Sequence, residues 1–144
     1  MSPQRANVVV IEDERLTRRK AIESLKNAGH HLLGDAGDLE SARILFDKLH
    51  GQGIKPDVVL LDRGFPNKPE ELIDNIRAGE DLAPEVLYKF PHTQLVFFSN
   101  YQGEPTFGSH RFPSQTEVEN DQFKLDVIGD LGDFVTSLPA QALK

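Results

Sequence analysis

A doubly wound α/β domain is the fold this sequence predicts, and three observations carry the prediction. Three short apolar runs, Val8-Val9-Val10-Ile11, Val58-Val59-Leu60-Leu61 and Leu95-Val96-Phe97-Phe98, are β-branched or aromatic and continuous rather than alternating. That is the pattern of strands covered on both faces. Segments with helical spacing lie between the runs, so strand and helix alternate along the chain. The length, 144 residues without repeats, suits one domain over 1–144 with one substantial core.

The elements follow in order. After the first run, Ala21, Leu25 and Ala28 recur at intervals of four and three, flanked by Leu16 and Ile22, and Gly29 supplies a stop. Leu32-Leu33-Gly34-Asp35-Ala36 is a weaker strand candidate. Asp38 is placed to cap a helix bearing Leu39, Ala42, Leu45, Phe46 and Leu49, which Gly51-Gln52-Gly53 closes. Pro56 leads into the second apolar run. A later helix, roughly Leu82 to Phe90, presents Leu82, Val86 and Phe90, with Pro84 tolerable only in its first turn. The last helix, about Asp126 to Leu138, carries Ile128, Leu131, Val135 and Leu138; Gly129 and Gly132 weaken it by roughly 1 kcal/mol each relative to Ala. Two stretches depart from the alternation. Asn67 to Arg77 offers Leu72, Ile73 and Ile76 for an amphipathic turn or two, and Tyr101 to Asn120 reads as mostly loop.

Composition narrows the function classes. The chain has no Cys, which removes disulfide frameworks, thiolate zinc sites and cysteine nucleophiles. Lys and Arg number 16 against 23 Asp and Glu, a formal net charge of −7 that argues against direct binding of nucleic acid. No apolar run approaches the roughly 20 residues that span a bilayer. The start of the chain lacks a secretory signal pattern, so the expectation is a cytoplasmic location with no membrane partner. None of the five His residues, His30, His31, His50, His92 and His110, has a convincing metal-ligand spacing, and structural or surface roles are expected for them.

The chemistry is expected past the carboxyl ends of the strands, where open parallel sheets bind ligands. The first run ends in Glu12-Asp13-Glu14, the second in Asp62 and the third in Ser99-Asn100. A single Asp at a strand end is usually a turn or cap residue, and Glu12 and Glu14 alone would suit the start of a helix. Carboxylates from several strand ends in one cleft are different. They repel one another unless a cation sits among them, and a hard divalent ion such as Mg²⁺ relieves that repulsion.

These residues resemble the receiver domain of two-component response regulators, the CheY-like family. Val8 to Glu14 is similar to its first strand and acidic pair, and Asp57 to Pro66 to its third strand, phosphoacceptor Asp and following Pro. Gly79-Glu-Asp-Leu82, then Pro91 and the strand to Ser99, resembles its third helix, fourth strand and hydroxyl position. Lys124, ahead of Leu125 to Leu131, resembles its Lys before the last helix. The likeness covers about residues 7–138 and is poor from Tyr101 to Asp121.

The resemblance implies a five-stranded parallel sheet of order 2-1-3-4-5 with helices on both faces. It implies that Asp62 takes a phosphoryl group from a phosphohistidine of a sensor histidine kinase or phosphotransfer protein. Asp13 and Asp62 would bind Mg²⁺ directly, Glu12 through water, and the Gly64 backbone carbonyl as a further ligand. Lys124 would neutralise phosphoryl charge, and Ser99 would bond a phosphoryl oxygen and move toward it. Such a protein is no conventional enzyme; it catalyses its own phosphorylation and dephosphorylation and signals by binding a downstream protein. The first helix is basic, with Arg15, Arg18, Arg19, Lys20 and Lys26, ordinarily a solvated face. In the resembled family this helix docks on the kinase, which implies a steering role.

The pattern also departs from the family. Asn100 replaces a small residue, Leu125 stands where Pro is common, and Asp121 stands where an aromatic precedes the Lys. These favour an alternative, a pseudo-receiver that acts as an interaction module without phosphate. Two other classes fit less well. An Asp-nucleophile phosphohydrolase needs a second carboxylate two residues on, where Gly64 stands. A flavin-binding flavodoxin-like protein needs a phosphate loop, where acids follow the first strand.

Overall fold

The computed structural model describes residues 5–62, 64–71, 75, 77–98, 110–112 and 128–138. The strands are β1 (Asn7–Ile11), β2 (His31–Ala36), β3 (Val58–Leu61), β4 (Gln94–Phe98) and β5 (His110–Phe112). The helices are α1 (Arg15–Asn27), α2 (Leu39–Gly51), α3 (Ala78–Lys89) and α4 (Leu131–Thr136), the last entered through a 3₁₀ turn at Ile128–Asp130. Every strand pairing is parallel, in the order β2-β1-β3-β4-β5. The body β2-β1-β3-β4 carries the site, and β5 adds three residues at its edge.

Alternation along the strands divides the core in two, because successive side chains point to opposite faces. Val9, Ile11, Val59, Leu61, Leu95 and Phe97 pack on one face against α2 and α3. Val8, Val10, Val58, Leu60 and Val96 pack on the other against α1 and α4. Both faces are therefore helix-covered, as the continuous apolar runs predict. No described helix is long and apolar enough to cross a membrane.

Local chemistry sets the boundaries. Asp38 caps α2 as expected, its Oδ1 accepting from the Ser41 N–H at 2.7 Å. Gly29 and Gly53 stop α1 and α2 with φ of 89° and 70°, left-handed values that favour glycine. Leu16 is largely exposed, and the buried face of α1 instead runs through Thr17, Ala21, Ser24 and Leu25.

Two expectations are corrected. The third helix starts four residues earlier than predicted, at Ala78 rather than Leu82, so Pro84 lies inside it rather than in its first turn. Burial of Ala78, Gly79, Leu82, Ala83 and Val86 outweighs the hydrogen bond that Pro84 cannot donate. The last helix is shorter than predicted, six residues after its 3₁₀ turn. The 101–120 stretch, read as mostly loop, carries the three-residue β5, paired from Val96↔His110 to Phe98↔Phe112, and its other residues lie outside the described ones. Leu72, Ile73 and Ile76, expected in an amphipathic turn, lie outside the described residues.

His30 has the structural role expected of it. The ring is buried, and its Nδ1 accepts from the Ala6 N–H at 3.0 Å. That leaves Nε2 as the protonated nitrogen, 3.0 Å from the Gly132 carbonyl and 2.9 Å from the Thr136 hydroxyl. One neutral imidazole thus joins the entry to β1 with α4.

Candidate functional site

Register brings the acids together. Ile11 of β1 stands opposite Leu61 of β3, so the next residues, Glu12 and Asp62, emerge side by side at the carboxyl edge of the sheet. Their backbones continue the pattern: Glu12 N–H donates to Ala36 at 3.0 Å, and Asp62 N–H to Ile11 at 2.9 Å. Glu12 is 1% exposed and Asp62 8%, while Asp13 is half-buried. One carboxylate oxygen from each of Glu12, Asp13 and Asp62 lies within 4.8 Å of the others. Three converging hard oxygen donors, two of them on buried residues, form a set suited to a divalent cation.

Neighbouring groups hold this edge in place. Glu12 Oε2 accepts from the Glu14 N–H at 3.3 Å. Arg18 Nη1 donates to the Glu12 carbonyl at 2.7 Å, while its Nε lies 3.1 Å from Asp35 Oδ2 on β2. Gly37 leaves room for that guanidinium, since a Cβ there would sit 2.5 Å from Arg18 Nη1. On the other side, Gly64 is buried and Phe65 pairs with Asn75 through reciprocal backbone bonds of 3.3 and 3.0 Å. The Pro66 and Asn67 carbonyls accept from Leu39 and Glu40, satisfying two donors at the start of α2. The segment leaving Asp62 is thereby tied to a neighbouring helix.

Of the residues expected at the site, Glu12, Asp13 and Asp62 converge. Ser99, Lys124, Asn100 and Leu125 lie outside the described residues. Sequence reasoning missed Arg18 as a tie and Asn75 as the partner of Phe65. The signal for Arg18 was its position on the first turns of α1 facing the Asp35-Ala36-Gly37 end of β2. Nothing in the sequence pattern pointed to Asn75.

The overall arrangement matches solved structures. The signal receiver domain of the response regulator NarL from Mycobacterium tuberculosis superposes with a TM-score of 0.55 at 20% identity, covering 94% of this chain and all of that one. The Mn²⁺-bound response regulator Rcp1 gives 0.63 at 16%, covering 95% and 97%. This chain has the fold of response-regulator receiver domains. The receiver fold also matches the phosphorylated cyanobacterial phytochrome response regulator RcpA, with a TM-score of 0.62 at 14% identity over 92% and 91%. Among curated proteins, the transcriptional regulatory protein PdtaR of Mycobacterium tuberculosis is 34% identical over 95 residues, which is 62% of this chain and 42% of that protein. The chain thus spans less than half the length of the PdtaR it matches. No protein-family model matches.

Proposed function

We propose that this chain is a phosphoacceptor receiver that signals through protein–protein interaction. The observation that carries the reading is the convergence of Glu12, Asp13 and Asp62 at the carboxyl edge of a receiver-fold sheet. In this reading an Asp62 carboxylate oxygen attacks the phosphorus of a phosphohistidine on a sensor kinase or phosphotransfer protein. The new O–P bond forms as the N–P bond breaks, and the freed imidazole takes a proton from solvent.

Glu12, Asp13, Asp62 and the Gly64 carbonyl are the groups that would hold Mg²⁺. When bound, the ion supplies positive charge that screens the carboxylates from the phosphoryl oxygens. Glu12 and Asp62 are buried, so their charges would interact with a bound cation more strongly than in open solvent. Lys124 and Ser99 complete the proposed site as phosphoryl-binding groups. The exposed charges of α1, Arg15, Arg19, Lys20 and Lys26, are the proposed docking face for the phosphodonor protein.

Incubation with Mg²⁺ and acetyl phosphate, followed by intact-mass spectrometry, tests the reading. One added phosphoryl group that disappears in Asp62→Asn supports it. An unmodified wild type under saturating donor and Mg²⁺ overturns it in favour of the phosphate-independent module.

A further inference from the structure

A second cavity lies at the opposite edge of the sheet, where β3 and β4 begin. Its volume is about 560 Å³, within the range of small-molecule sites. The buried Pro56, Phe90 and Thr93 line it, and Ile54 adds exposed apolar surface. The ends of α2 and α3 wall it, and the His50 ring stands edge-on to Phe90 with centroids 5.8 Å apart. Two hydrogen bonds tie this part of the wall together: the Thr93 hydroxyl donates to the Pro56 carbonyl at 2.6 Å, and Gln94 N–H to the Asp57 carbonyl at 2.9 Å.

The polar lining is unbalanced. Lys55, Lys89, His50 and His92 bring nitrogen donors to the cavity of a chain whose net charge is −7. Lys89 already faces Asp47 at 3.0 Å, which leaves the exposed Lys55 as the cation best placed for a ligand. Asp57 is the sole acid of the lining, and its Oδ2 accepts from the Asn7 N–H at 2.8 Å. It leaves the cavity open to one anionic group but opposes a second.

We propose that this cavity binds a small monoanion with an apolar body, that body against Ile54 and the edges of Phe90 and Pro56 and its carboxylate or sulfonate at Lys55. The imidazoles of His50 and His92 supply further donors at the rim. Such a ligand would sit at the start of β3, whose far end delivers Asp62, so the site is separate from the acidic cluster. The proposal stands whether or not Asp62 accepts phosphate.

The test uses the full chain and 1-anilinonaphthalene-8-sulfonate, with the neutral N-phenyl-1-naphthylamine as its uncharged counterpart. Fluorescence titration should show one saturable site for the sulfonate. Amide chemical-shift changes should centre on Gly53, Ile54, Asp57 and Thr93. Lys55→Gln, an exposed substitution that removes the charge alone, should weaken the sulfonate about tenfold, the effect of losing one charge-assisted contact, and leave the neutral compound unaffected. Non-saturable binding, shifts centred elsewhere, or equal affinity of wild type and Lys55→Gln for the sulfonate would each overturn the proposal.

Discussion

Asp57 shows how one residue can hold a strand while opposing stability at neutral pH. Burial pushes its carboxyl above the ordinary value of 3.8, and the Asn7 N–H that it accepts pulls the other way without cancelling the shift. An acid raised by folding binds its proton more readily in the folded state. Its contribution therefore favours folding fully below pH 3.8 and is lost as pH rises through the raised folded value. Asp57→Asn keeps an oxygen for the Asn7 N–H and removes a half-buried charge. Urea unfolding should find the variant more stable than wild type near pH 7, with the difference shrinking at about pH 3. A difference that grows on acidification would contradict this. Arg18 is the other residue whose role depends on its surroundings. Read as one of five surface cations, it instead bonds the Glu12 carbonyl and Asp35. Sequence alone did not show this because the contact joins elements that become neighbours only in the folded sheet.

At the scale of elements, the tie at Arg18 leaves the other charges of α1 to form the proposed docking face. Arg15, Arg19, Lys20 and Lys26 are exposed. Reversing Arg19 and Lys20 to Glu should slow phosphotransfer from the cognate kinase about tenfold while leaving modification by acetyl phosphate unchanged. An unaltered kinase rate would remove the steering role. The docking of α4 on α1 carries a second lesson. Gly132, counted from sequence as a weakness in a helix, lies where a Cβ would collide with the Ser24 carbonyl and sit 2.7 Å from the Ala28 Cβ. Ser24 then stitches the two elements, its hydroxyl donating to the Gly129 carbonyl at 3.1 Å and accepting from the Gly132 N–H at 3.0 Å. One obstructing group is α1 backbone and the other the Cβ of Ala28 just past its end, so neither moves cheaply. Gly132→Ala should lower the unfolding free energy by about 1–3 kcal/mol despite its better helix propensity. Thermal and urea denaturation check it; a stabilised variant would mean that α4 does not pack this closely.

Over the whole molecule, what was legible in the sequence follows from where the physical signal is local. β1, β3 and β4 are continuous apolar runs, and Asp38 and Gly53 mark helix ends through their own side-chain and backbone chemistry. The acids were legible because each directly follows a strand, and the Ile11↔Leu61 register then sets Glu12 beside Asp62. β5 was not legible, since His110-Arg111-Phe112 has neither an apolar run nor alternation strong enough to mark a strand. The start of α3 was missed because Arg77 makes no side-chain cap and packing of Ala78 and Gly79 fixes the boundary.

The acidic edge is proposed to take up a divalent cation and to present Asp62 to a phosphoryl group. Fluorine-19 NMR of the protein with beryllium fluoride tests it most directly. With Mg²⁺ present, bound-fluoride resonances distinct from the free species should appear, and they should be absent with excess EDTA and in Asp62→Asn. A wild-type spectrum showing only free fluoride species at saturating Mg²⁺, or bound signals that survive Asp62→Asn, would contradict it.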